Sequence, residues 1–93
     1  MDDREADERY NRLVADLGTL HQWLEEDGQS LWADWLGSSL QQIMAHDGNG
    51  LSHLLRAYGG MGSFNDLQMS GAMQRLKTRI YSDATALLAD LER

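Results

Sequence analysis

Ninety-three residues without a cysteine or a proline make one small domain, residues 1–93, that neither a disulfide nor a thiolate zinc site can hold together. Apolar residues at 42% are enough for a packed core and exclude a disordered chain. A formal net charge of −7 argues against nucleic acids and anionic membranes as partners.

No apolar run approaches the ~20 residues of a membrane span. Met1-Asp2-Asp3-Arg4-Glu5 reverses the basic-then-apolar layout of a secretory leader, so a cytoplasmic location is expected. The charge is also unevenly placed. Residues 1–47 hold eleven acids and three bases, whereas residues 48–93 hold four acids and five bases. No Lys or Arg occurs between Arg12 and Arg56, while Asp16, Glu25, Glu26, Asp27, Asp34 and Asp47 all fall there. Such a face would steer a basic protein toward it; the plain alternative is a solvated surface that only keeps the domain soluble.

Residues 3–26 carry Ala6, Tyr10, Leu13, Val14, Leu17, Leu20 and Leu24 at i, i+3, i+4, i+7 spacing, which predicts an amphipathic first helix. Asp2, Asp3, Glu5, Asp7 and Glu8 crowd its start, where the helix dipole favours negative charge. Residues 1–8 are expected to fray. The helix should stop near Asp27-Gly28, with Gly28 as its C-terminal cap.

Ser30 is placed to cap a second helix over about 31–46. Leu31, Trp32, Trp35, Leu36, Leu40, Ile43 and Met44 spread over a wide arc, so this helix should meet more than one neighbour and be the central helix of the core. Asp47-Gly48-Asn49-Gly50 reads as a turn. A short third helix, about 51–58, carries Leu51, Leu54, Leu55 and Tyr58. A last helix, about 71–92, sets Ala72, Met73, Leu76, Ile80, Ala84, Leu87 and Leu91 on one face, with Arg75, Arg79 and Asp83 beside it at i, i+4 steps. No period-2 run of β-branched residues occurs. The expected fold is all-α, a compact bundle of four to five helices with a Gly-rich corner between the third and the last.

That corner is Tyr58-Gly59-Gly60-Met61-Gly62-Ser63-Phe64-Asn65-Asp66. Gly59 is expected to cap the third helix, while Gly60 and Gly62 permit backbone conformations that a Cβ would penalise. Ser63 and Asp66 have the spacing of a capping box, Phe64–Met69 reads as a helical turn, and Ser70-Gly71 as its break or restart. Three roles compete for the corner. Met61 and Phe64 could plug the core; Tyr58, Met61 and Phe64 could be displayed to a partner; or successive N–H groups could hold an anion. A phosphate loop needs a Gly-Lys-Ser/Thr ending, and here no Lys or Arg follows until Arg75. Architecture ranks first, recognition second and anion binding last.

Little in the chain points to catalysis. Ser30, Ser38, Ser39, Ser52 and Ser63 are the candidate hydroxyls and His21, His46 and His53 the only imidazoles, but no Gly-x-Ser-x-Gly elbow occurs. No enzyme and no catalytic residues are expected. His46, Asp47 and His53 could converge across a turn, yet neither a His-x3-His pair nor a cysteine supports them, so no metal or cofactor is expected. His21 lies toward the apolar face of the first helix and reads as a partly buried, hydrogen-bonded side chain. Trp32 and Trp35 lie on the apolar arc of the second helix. Trp23 falls off the stripe of the first, either packed under the Asp27-Gly28 turn or exposed as an anchor.

The run Leu54–Leu67 resembles the signature of a family of small bacterial domains of unknown function, in which a leucine-rich turn precedes aromatic-Gly-Gly-Met-Gly-Ser-(Phe/Leu)-Asn-Asp. Trp32-Ala33-Asp34-Trp35-Leu36, Asp47-Gly48 and Leu51 are similar to that family's upstream half, so the resemblance spans residues 30–70. It implies an immunity or accessory role and brings no catalytic residues with it.

The functional expectation is a non-enzymatic domain that binds a basic protein, as an immunity-type inhibitor does, and occludes it. Trp23, Glu25, Glu26, Asp27 and Asp34 form the first candidate patch and Tyr58, Met61 and Phe64 the second. Gly59, Gly60, Gly62, Ser63 and Asp66 form a structural loop. The alternatives are a small-ligand or anion binder that uses the Gly59–Asp66 loop and a self-associating helical subunit.

Overall fold

The computed structural model describes residues 1–59 and 63–92, and for Ser63 and Asp66 the backbone alone. Its elements are α1 (Asp3–Glu26), α2 (Ser30–Met44), α3 (Asn49–Gly59), a single turn α4 (Ser63–Asp66) and α5 (Gly71–Leu91). The described residues contain no strand, and the all-α class follows. Gly60, Met61 and Gly62 lie outside the described residues, as do the Ser63 and Asp66 side chains and with them the capping box.

The 24 residues of α1 reach about 36 Å at ~1.5 Å per residue, which matches the 37 Å long axis of the molecule. The Asp2 carboxylate accepts from the Glu5 N–H at 2.8 Å, so residues 3–8, expected to fray, continue a capped helix. Leu13, Leu17, Leu20 and Leu24 recur every three or four residues and are fully enclosed. α1 packs on α2 and α5, and α3 packs on α2 and α5, so the four long helices close a ring. α2 thus meets two neighbours, α1 and α3, as expected, but it is no more central to the core than α1. The arc of α2 is wider than its two neighbours cover, and Leu31 and Met44, expected in the core, are 69% and 55% exposed.

Gly28 ends α1 as the sequence predicts. At φ 76° it donates to the Glu25 carbonyl, and Gln29 donates to Leu24, the paired bonds of a Schellman turn. That turn delivers the chain straight into α2. Gln29 already accepts from the Ala33 N–H, so Ser30 is the first residue of the helix and not its cap. α2 ends at Met44, earlier than expected, with the same pair of bonds: His46 to Ile43 and Asp47 to Gln42. Here the left-handed residue is His46, at φ 57°, a position usually given to Gly or Asn. Asp47 then opens α3 by accepting from the Asn49 N–H. Gly50 allows the close approach of α3 to α2, because a Cβ there would meet the Ile43 nitrogen at 2.8 Å. Ser70 restarts the chain after α4 by capping α5 at the Met73 N–H.

Two aspartates fasten α5 to α1. Asp83 is completely buried and takes both Nε and Nη2 of Arg12 at 2.7 Å, plus Arg9 Nη1 at 3.0 Å. Asp16, 5% exposed, takes Nε and Nη2 of Arg79 at 2.7 and 2.8 Å. Asp16 is thus removed from the acidic face to which its place in the sequence assigns it. The carboxylates raise both guanidinium pKa values, chiefly through these hydrogen bonds. Bidentate geometry makes such pairs stronger than point-charge contacts. The half-exposed arginines limit the desolvation penalty to the carboxylate side.

Asp83→Ala leaves two guanidiniums aimed at an apolar seam. It should lower the unfolding free energy by about 2–4 kcal/mol, read as a reduced urea midpoint. Asp34→Ala, at an exposed carboxylate, should stay within about 0.5 kcal/mol of wild type.

Candidate functional site

The first patch gathers where α1 turns into α2. Glu25 and Glu26 lie in the last turn of α1, Asp27 is its cap, and Asp34 follows one turn into α2; all four are exposed. Their described partners are local. Glu25 pairs with His21 Nε2 at 2.9 Å, Glu26 accepts from Gln22 and Asp27 from Gln29. The last turn of α1 holds no base, and the helix dipole places partial negative charge there. Three carboxylates therefore sit at an end that repels them. His21 is half-buried, as expected, and enters the α1–α2 seam at Gly37, where a Cβ would lie 3.0 Å from its Nε2.

Trp23, offered as an anchor, is half-buried and packs against the core. The exposed apolar side chain in this region is Leu31, four residues past Asp27. Sequence reasoning missed it because the spacing placed Leu31 on the wide α2 arc, and only the position of the neighbouring helices shows which part of that arc is left uncovered.

The second patch divides differently. Phe64 is fully buried, with Trp32 at 5.1 Å and Tyr58 at 5.2 Å between ring centroids. The Tyr58 hydroxyl donates to the Lys77 carbonyl at 2.7 Å, and burial pushes its phenol pKa well above the ordinary value. Asn65 donates to the Tyr58 carbonyl at 2.6 Å. Lys77, itself buried, reaches in from α5 to donate to the Phe64 carbonyl at 3.2 Å, with its ammonium 4.9 Å from the ring centroid. Phe64 and Tyr58 thus pack on each other and are bonded to Lys77 of α5, while Met61 lies outside the described residues. The i, i+4 pattern of α5 drew attention to Arg75 and Arg79, and nothing local marks Lys77 as the base that reaches this corner.

One hydroxyl–imidazole pair does form. Ser39 Oγ lies 2.6 Å from His53 Nδ1 and donates to the Trp35 carbonyl, while Trp35 Nε1 donates to the His53 carbonyl and the two rings stack at 4.2 Å. With the Ser39 proton on Trp35, Nδ1 carries the imidazole proton. Ser39 is completely buried, so the pair joins α2 to α3 and offers its oxygen to no substrate. His46 stacks instead on Tyr10, at 5.6 Å. Among the described residues, no group of His, Cys, Asp or Glu is placed to hold a metal ion. Nor is any described helix long and apolar enough to cross a membrane.

These features define an all-α domain with buried acids in its frame and exposed acids on one turn. The chain belongs to the DUF6966 family, a domain of unknown function whose family model matches residues 25–77, more than half of the chain. The match takes in the acidic turn, the Ser39–His53 joint and the corner with Lys77. It ends before Arg79 and Asp83. No curated protein and no solved structure matches the chain.

Burial resists charging of His53, with the Arg56 guanidinium adding to the effect, so its pKa falls below the ordinary 6.5. The unfolded chain therefore binds the proton first as pH drops. The stabilising contribution is complete above 6.5 and is lost as pH falls from there through the folded-state value. An NMR titration of the His53 ring should give a midpoint below 6.5, and His53→Gln should remove this part of the acid-side loss of stability. A midpoint at or above the ordinary value would contradict the burial argument.

Proposed function

We propose that this domain is a non-catalytic protein-binding module that lays its acidic α1–α2 turn on a basic surface of a partner and occludes it, as an immunity-type inhibitor does. The observation that carries the reading is the position of Glu25, Glu26 and Asp27 at the C-terminal end of α1. Stability alone favours a cation at that end. A basic partner relieves the repulsion on binding and is drawn in by it from a distance. Leu31, with the edge of Trp23, supplies apolar contact beside the acids.

The same reading carries a bacterial, cytoplasmic setting. In it Tyr58 and Phe64, packed on each other and bonded to Lys77, tie α3 and the α4 turn to α5. The anion-binding alternative has less support, since Lys77, the base that reaches the corner, is engaged by the Phe64 carbonyl and ring.

Wild-type domain and the charge-reversed variant E25K/E26K/D27K/D34K, immobilised side by side after circular dichroism has confirmed equal helix content, give the test. Basic proteins should be retained by the wild type, elute as salt rises, and be absent from the variant. Retention by both, or retention indifferent to salt, would contradict the proposal.

A further inference from the structure

A cleft of about 590 Å³ opens at the end of the α1–α2 pair away from the acidic turn. It lies between the first turns of α1, the α2–α3 connection and the last turns of α5. Its floor is apolar, made by Ile43, Leu51, Leu87 and Leu91, the last of which is 64% exposed. One wall is the Tyr10 ring with the His46 imidazole stacked on it, an arrangement set by the left-handed backbone at His46. Asp7 of α1 and Asp47 of the α2–α3 connection also line the cleft, as does Asp90 of α5, and no described Lys or Arg does.

We propose that this cleft binds a small organic cation, an ammonium group carried on an apolar body. The volume lies in the ~300–1,000 Å³ range of small-molecule sites. An apolar floor takes the body, while the Asp7 and Asp47 carboxylates and an aromatic face take the charge. The same carboxylates, focused by the concave wall, repel an anion. An inorganic cation is a poor fit, because no described group of carboxylates and imidazoles is placed to hold a metal. The site stands apart from the acidic turn of the protein-binding reading and does not depend on it.

Three probes of equal length separate the contributions: hexylammonium, hexanol and hexanoate, each titrated into isotope-labelled protein and followed through backbone amides. Hexylammonium should produce saturable shifts at Tyr10, Asn11, His46, Gly48 and Leu51. Hexanol should bind about fivefold more weakly, the factor expected for one charge contact in water, and hexanoate should not bind. Asp7→Asn, at an exposed carboxylate, should weaken hexylammonium by up to about fivefold and leave hexanol unchanged. Equal shifts with all three probes would overturn the proposal, as would shifts confined to Glu25–Asp34 or no saturation with hexylammonium. Cleft amides that respond only to protein dilution would overturn it too, in favour of a second copy of the chain.

Discussion

Arg12 meets Asp83 and Asp16 meets Arg79 across an antiparallel pair of helices, each partner held by two hydrogen bonds. Both helices carry the same motif, an arginine four residues before an aspartate, and the rest of the bundle takes its register from that symmetry. A slip of one helical turn in one direction would bring Arg12 against Arg79; in the other it would bring Asp16 against Asp83. Like charges would then face each other at the position where the native register pairs opposite ones. The pattern therefore specifies the alignment of α1 and α5 as well as stabilising it, in the way buried polar groups fix register in other helical assemblies. The leucines of α1 need only shape and dryness and would tolerate a slip far better.

With the register fixed, the acids of the chain separate into two populations. Asp16 and Asp83 are buried and matched by guanidiniums from the opposite helix. Glu25, Glu26, Asp27 and Asp34 are exposed, and the first three stand against the dipole of their own helix. Their described contacts reach no farther than four residues along the chain. Local placement that opposes stability is the pattern expected of a site kept for binding. The other end of α1 shows the reverse arrangement, with Asp2 capping and Asp3 and Glu5 on the favourable side of the dipole.

The parts of the fold legible in the sequence are those set by local rules. Helical periodicity placed all four long helices, and Gly28 placed the end of α1. Errors arose where a distant group decides. His46 takes the left-handed position although Gly48 stands two residues away, and its ring finds Tyr10 across the bundle. Ser30 lost its cap role to a Schellman turn that joins two helices without a spacer. Asp16 looked like one more surface acid, because its partner lies 63 residues away. Of the candidate site, the four exposed acids were legible from charge alone. The burial of Phe64 was not, since it depends on Lys77 and Trp32 arriving from other helices.

The central claim is that the acids of the α1–α2 turn stand against the stability of the fold that carries them. Equilibrium urea unfolding of E25Q/E26Q/D27N beside wild type tests it directly. The account requires the neutralised domain to be more stable, by about 0.5–1 kcal/mol at low salt, with the gain shrinking as salt screens the dipole. A neutralised domain less stable than wild type would mean that these carboxylates serve the fold, and would contradict the account.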